Sequence, residues 1–407
     1  MLRRPALSGP FPRGCLVLGL LSLGGPWALG REAPRPGPDI YVAGSEDNVQ
    51  PTATIWKNGQ PTPLGQGPKC VRPLAMALSG QDLYEAGWQE APSIPQGNRA
   101  RPVRIAMVWK NGAGTRLTRG NTWAVAMAVK VAGKDVYVAG SDEERATLWK
   151  NGREIPLGPP GARSWARAVA LSGTDVLEAG NAWSGPDDTE LAMLWRNGQA
   201  MPLTDGTYPA CATAITVAGA DVYVAGYESN GRVKVAKVWK NGKALPPLSD
   251  GSRDAEAEAV AVAGSTVIVA GHEAVGASLT GGGGEDDVRM PVATVWKNGT
   301  PIRLADGTRF SWAHSVALAG TEVFAVGEEL VSSNPGESTN RATLWQVGVD
   351  GLVRTRLSSG RTIASAYAIC ASLPPGTSGS GGSGDLDLAG PALIPLPSPV
   401  KAPAETP

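Results

Sequence analysis

Seven short stretches rich in small residues, aligned at their glycine ends, each place one variable residue at a common position: Leu74, Met127, Arg167, Thr213, Glu258, His314 and Tyr367. The neighbours of these residues stay small or aliphatic. Four of the seven could do chemistry together, because Arg167, Glu258, His314 and Tyr367 supply a cation, a carboxylate, an imidazole and a phenol. Brought to one concavity, such groups bind a polar ligand or, in an enzyme, move its protons. Drift at a tolerant, solvated position would leave the same pattern. Trp88 and Trp183 stand outside the repeated tryptophan position and are expected in long loops, where aromatic residues favour sugar or partner contact. With Thr213, these residues make up the candidate ligand-binding set.

Catalytic signatures are scarce. The chain has no G-x-S-x-G, H-E-x-x-H, C-x-x-C or P-loop motif, no Asp-box of the sialidase kind and no periodic calcium loop. Its two histidines, His272 and His314, are too few for a histidine-rich metal site. The Asp-Gly loops that start at Leu203, Leu248 and Leu304 read as turns. GGGGEDD at 281–287 reads as a solvated loop. No cofactor and no metal are expected.

What must position the candidates is a repeat. ATIWKNG begins at Ala53, and variants of it begin at Ala106, Ala146, Ala192, Ala236, Ala293 and Ala342. They place seven of the 13 tryptophans at one position: Trp56, Trp109, Trp149, Trp195, Trp239, Trp296 and Trp345. A DVYVAG-like line precedes each copy, from Asp39, Asp82, Asp135, Asp175, Asp221, Thr266 and Glu322, and recurs every 40 to 56 residues. An alanine-rich line such as ARAVALSG from Ala166 runs into it. Period-two alternation, β-branched content and turn residues at both ends predict four short strands per repeat and no helix. Asn-Gly after the tryptophan predicts a type I′ hairpin. Gly-Thr-Asp at 173–175 predicts a second reversal.

Four antiparallel strands written seven times predict an all-β, seven-bladed propeller with the alanine-rich strand innermost. The repeated tryptophans are then blade-to-blade packing residues. Alanines 166, 168 and 170 are expected on one face, letting blades approach, with Val169 and Leu171 on the other. The first repeat lacks its alanine-rich strand, and IASAYAICAS at 363–372 is a spare one after the last. The mismatch predicts closure, with the C-terminal strand completing the N-terminal blade and leaving no open edge. Both tight turns fall at one end of each blade. The variable connections (88–104, 181–190, 272–291 and 328–341) fall at the other, which marks the recognition face.

The succession A-x-A-V-x-V-x-G, V-Y-V-A-G, A-x-x-W-x-N-G and x-P-L resembles bacterial extracellular tandem-repeat propeller proteins. It is similar in layout to the HAF-type extracellular repeats, without their His-Ala-Phe triplet. The resemblance spans 39 to about 372. It implies an exported propeller and assigns no activity.

The N-terminal stretch fits that address. Arg3, Arg4 and Arg13 precede an apolar run at 15–23, with small residues at 28–30, the layout of a signal peptide over 1–30. Residues 31–38 read as a linker, 39–372 as the propeller, and 373–407 as a Gly/Ser/Pro-rich disordered tail. Without the first 30 residues the chain holds 34 basic and 37 acidic side chains. That balance gives no reason to expect a nucleic-acid partner, and no run is long enough to span a membrane. Cys70, Cys211 and Cys370 then remain, an odd number in different repeats, which reads as small buried residues and not as a disulfide framework.

The sequence therefore points to a secreted, periplasmic or cell-surface monomer acting as a binding or scaffold module. Its expected ligand is a carbohydrate, an envelope polymer or a protein, met on the long-loop face. The alternative is a hydrolase or lyase of an extracellular polymer with its site at the channel mouth.

Overall fold

A computed structural model describes residues 38–47, 51–64, 71–96, 99–159, 161–185, 187–278, 289–332, 339–348, 351–359 and 363–372. Residues 1–30 and 373–407, where a signal peptide and a tail are expected, lie outside the described residues, as do Cys70 and GGGGEDD. Every described element is a strand, and the strands form seven four-stranded antiparallel sheets. Six blades are sequential. Blade 4, for instance, runs Ser164–Ser172, Asp175–Ser184, Thr189–Arg196 and Gln199–Pro202 from the inside out. Blade 1 takes its inner strand, Ile363–Ser372, from the far end of the chain. That strand pairs with Asp39–Asp47 from Asp39↔Ser372 to Asp47↔Ile363. The inner strands of successive blades pack around the axis, and Ile363–Ser372 closes the ring against Val71–Ser79 of blade 2.

The repeated lines have separate physical jobs. Six of the seven tryptophans are less than 2% exposed, and each packs on the preceding blade. Trp149 meets Ala75, Ala77 and Ala86 of blade 2; Trp345 meets Ala259 and Ile268 of blade 6; Trp56 meets Ala317 and Phe324 of blade 7. Losing one such core tryptophan costs roughly 3–5 kcal/mol. The Asn-Gly pair makes the hairpin, with Asn151 at φ +52° and Gly152 at φ +78°, both positive as type I′ demands. Asn151 also ties two lines together. Its Oδ1 accepts from Val136 N and its Nδ2 donates to Asp135 Oδ1, both at 2.8 Å, while Lys150 Nζ reaches Asp135 Oδ2 at 2.9 Å. The same clamp joins Asp39, Lys57 and Asn58, and again Asp221, Lys240 and Asn241. Asp in the second line and Lys-Asn-Gly in the third recur together because they touch.

The alanine-rich strand departs from simple alternation. Opposite Ala179 and Gly180 the register of blade 4 slips between Ala166 and Ala168, so that Arg167 is bulged out. A bulge inverts the facing of the residues beyond it. Ala166 therefore packs with Val169 and Leu171 toward blade 3, while Ala168 and Ala170 face blade 5. The three alanines do not share a face, which corrects the expectation from alternation.

Candidate functional site

The same slip occurs in every blade, and the bulged residues are Leu74, Met127, Arg167, Thr213, Glu258, His314 and Tyr367. Each lies in the half of the inner strand nearest the variable connections. The bulge explains the glycine that ends each V-Y-V-A-G line. A Cβ on Gly180 would lie 1.9 Å from the Trp165 carbonyl oxygen, and one on Gly140 2.0 Å from that of Val125. Only glycine lets the bulged backbone approach so closely.

The residue after that glycine forms a second tier: Trp88, Ser141, Asn181, Tyr227, His272, Glu328 and Ser45. It reaches the bulged residue of its own blade in five cases. Asn181 accepts from Arg167 Nε at 2.7 Å, His272 Nδ1 lies 3.0 Å from Glu258, Glu328 faces His314, Ser45 meets Tyr367 Oη at 3.2 Å, and Trp88 packs on Leu74. Apart from Trp88 this tier escaped the sequence reading, although its signal, the residue following V-x-x-G, was available in each repeat.

Blades 6, 7 and 1 form an acidic arc. Both histidines converge on one carboxylate: His314 Nδ1 is 2.8 Å and His272 Nδ1 3.0 Å from Glu258. His314 Nε2 is 3.8 Å from Glu328 Oε1, an ion-pair separation too long for a hydrogen bond. Glu328 also accepts from the Ser365 hydroxyl. Burial by itself would push the Glu258 carboxyl up, but the His314 charge and the two histidine contacts outweigh it and hold it below the usual carboxylate range. Burial opposes the His314 charge too, yet Glu258 and then Glu328 hold the imidazolium well above its ordinary value. Around neutral pH the arc is a fixed carboxylate–imidazolium–carboxylate row.

Blades 2 to 4 form the opposite arc, aromatic and cationic. The Arg104 guanidinium lies over two indoles, its carbon 3.8 Å from the Trp88 ring centre and 4.0 Å from that of Trp123. Arg72 approaches the Trp88 ring at 5.9 Å and Arg167 the Trp165 ring at 5.1 Å. Trp165 meets Trp183 edge to face at 6.1 Å. Leu74, Trp88, Val125, Met127 and Tyr367 make the buried floor, with Trp123 and Trp165 packed on it. Arg72, Arg104 and Arg167 have no carboxylate in ion-pair range among the described residues. Burial and the nearby Arg72 charge lower the Arg104 guanidinium to about 10.

The candidates thus divide. Glu258, His314 and Tyr367 come together with the apolar bulge residues, and Arg167 stands on the opposite arc. Thr213 spends its hydroxyl on the carbonyls of Ala257 (2.7 Å) and Ala225 (3.0 Å), a strut between blades 5 and 6. Trp88 and Trp183 lie within strands Asp82–Gln96 and Asp175–Ser184, not in loops, and Trp88 is buried. The connection expected at 88–104 is largely an extension of the hairpin. The Asp-Gly loops are turns, as Asp205 and Asp306 accept from the backbone N–H two residues on. Cys211 and Cys370 are buried free thiols. No three His, Cys, Asp or Glu residues are placed to hold a metal ion among the described residues.

The fold defines the class: a seven-bladed β-propeller closed by its own C-terminal strand. No protein-family model matches the chain, and no curated protein sequence does either. Among solved structures it is similar to the β-propeller domain of the Trilobed protease from Pyrococcus furiosus, with 9% identity over 80% of this chain and 96% of that one and a TM-score of 0.43. It is also similar to YjhT, with 11% identity over 72% and 99% and a TM-score of 0.40. TolB from Acinetobacter baumannii shows 10% identity over 80% and 79%, with a TM-score of 0.39.

Proposed function

We propose that the protein is an exported binding module that takes an acidic carbohydrate or other envelope polymer across the mouth of its propeller. The observation that supports this reading is the cationic arc. Three guanidiniums lie on or beside tryptophan rings at the variable-loop end of the axis, without carboxylate partners among the described residues. A stacked guanidinium keeps its N–H edge fixed for a carboxylate or sulfate, and indole edges and faces suit sugar rings. The acidic arc supports binding over catalysis. Its imidazolium is locked between two carboxylates, whereas a general acid or base works best with a proton affinity near the working pH. The signal-peptide pattern at 1–30 supports export.

The test is retention of the purified protein on acidic and neutral glycans and on envelope fractions, with the same mixtures assayed for cleavage. Arg104→Gln should weaken retention at least tenfold and no products should accumulate. Products whose formation is lost in Glu258→Gln would replace this reading with the hydrolytic one, and retention unaffected by Arg104→Gln would remove the mouth from it.

A further inference from the structure

A separate groove opens on blade 7, with a volume of about 250 Å³, close to the lower end of small-ligand sites. Four arginines line it: Arg309, Arg341, Arg354 and Arg356. Strand register explains why they meet. Arg341 stands two residues before Thr343 in strand Thr339–Gly348, Thr343 pairs with Arg356, and Trp345 pairs with Arg354. Alternation puts Arg341, Arg354 and Arg356 on the face that Trp345 turns toward blade 6. Arg309 arrives from the turn between blades 6 and 7, and its Nη1 is anchored on the Val331 carbonyl at 2.9 Å. Phe310, stacked on Trp312 with ring centres 5.7 Å apart, supplies an aromatic wall.

Charge in the groove is unbalanced. Two carboxylates face the four guanidiniums. Glu329 takes Arg354 at 3.0 Å, and Asp306 is folded into its own turn, accepting from Thr308 N at 2.9 Å and Thr308 Oγ1 at 2.7 Å. Arg341 and Arg356 have no carboxylate within ion-pair range among the described residues. Arg341 Nε is buried without a hydrogen-bond partner. Burial and the charges of Arg356 and its neighbours depress the Arg341 guanidinium, as expected where like charges crowd without a counter-ion. Among the described residues, blade 7 differs from the others in its outer strand. Their outer strands, such as Gln60–Pro63 and Gln199–Pro202, are four residues or fewer, whereas blade 7 has Gly351–Arg356.

We infer that the blade 7 groove is a binding site for a tetrahedral oxyanion, the phosphate or sulfate group of a larger ligand, distinct from the propeller mouth. A doubly charged anion matches the two guanidiniums left without carboxylates, and the planar forks of Arg341 and Arg356 suit its oxygens. The inference does not depend on the mouth binding a glycan.

The test is titration calorimetry of the full chain with sodium phosphate and with sodium sulfate, sodium chloride holding the ionic strength constant. The wild type should bind one or both anions. Arg356→Gln, an exposed position that leaves the fold intact, should weaken binding at least fivefold, and the double variant Arg341→Gln/Arg356→Gln at least twentyfold. Arg153→Gln, on the exposed outer strand Arg153–Pro156 of blade 3, should bind as the wild type does. Preference for one anion identifies the ester. Absence of binding by both, or loss in Arg104→Gln with retention in Arg356→Gln, overturns the inference.

Discussion

The two arcs of the mouth are built on one backbone device and use it in opposite ways. In blades 6, 7 and 1 the bulge residue and the residue after the glycine complete one another: Glu258 has His272 and His314, Glu328 has His314 and Ser365, and Tyr367 has Ser45. In blades 2 to 4 Arg72, Arg104 and Arg167 lie on or beside indoles and have no carboxylate in ion-pair range among the described residues. A bulge repeated sevenfold aims side chains at the axis whatever they are. Selection on stability and selection on binding can therefore act on different blades of the same ring.

The largest effect should come from the self-satisfied arc. His314→Leu removes the cation shared by two buried carboxylates, and breaking a buried pair costs about 3–5 kcal/mol. Urea denaturation should show that loss, while a cost near zero would mean the acidic arc is as loosely held as the cationic one. The raised His314 value stabilises the fold fully below its unfolded value of 6.5 and is lost as pH rises through the folded one. The lowered Glu258 value stabilises it above 4.5 and is lost as pH falls. The pair thus contributes most between pH 4.5 and 6.5.

Next comes a gain beneath the cationic arc. Glu178 in blade 4 and Glu85 in blade 2 occupy the position held by Val138 and Val224 in blades 3 and 5. Both carboxyls are buried without a hydrogen-bond partner, and burial pushes each up to about 8. Such a group favours the fold below its unfolded value of 4.5 and loses that contribution as pH rises toward 8. Glu178→Val should stabilise the protein by about 3 kcal/mol at pH 7 and by much less at pH 4. A gain independent of pH would show that the carboxyl has a partner.

The smallest effect on stability sharpens the contrast most. Arg104→Gln removes a guanidinium that no carboxylate holds among the described residues, so what is lost is its contact with two indoles, about 1–2 kcal/mol. Chemical denaturation should show a loss smaller than that of His314→Leu while glycan retention collapses. A loss as large as that of His314→Leu would make Arg104 a structural residue.

Much of this was legible in the sequence for physical reasons. Asn-Gly, the buried tryptophan and the small-residue strand recur because turn, packing and closure impose them on every blade. The spare strand at 363–372 announced its pairing with 39–47. Alignment at the glycine ends found the bulged positions without revealing the bulge, since period-two alternation cannot show an added residue. The misassigned facing of Ala166 stems from that, whereas the placing of Trp88 in a loop stems from strand Asp82–Gln96 running on past Gly87 into a long hairpin. The blade 7 groove was hidden as well, because Arg309, Arg341 and Arg356 are brought together by register across three separate segments.

The pairing of Asp39–Asp47 with Ile363–Ser372 also sets an order of events in the cell. Synthesis at about 5–20 residues per second leaves the first strand waiting roughly 15–60 seconds for its inner neighbour. Without that strand, blade 1 would present Asp39–Asp47 as a free edge, open to pairing with another chain. The ring therefore cannot close before Ile363–Ser372 is available, whatever the state of the other blades.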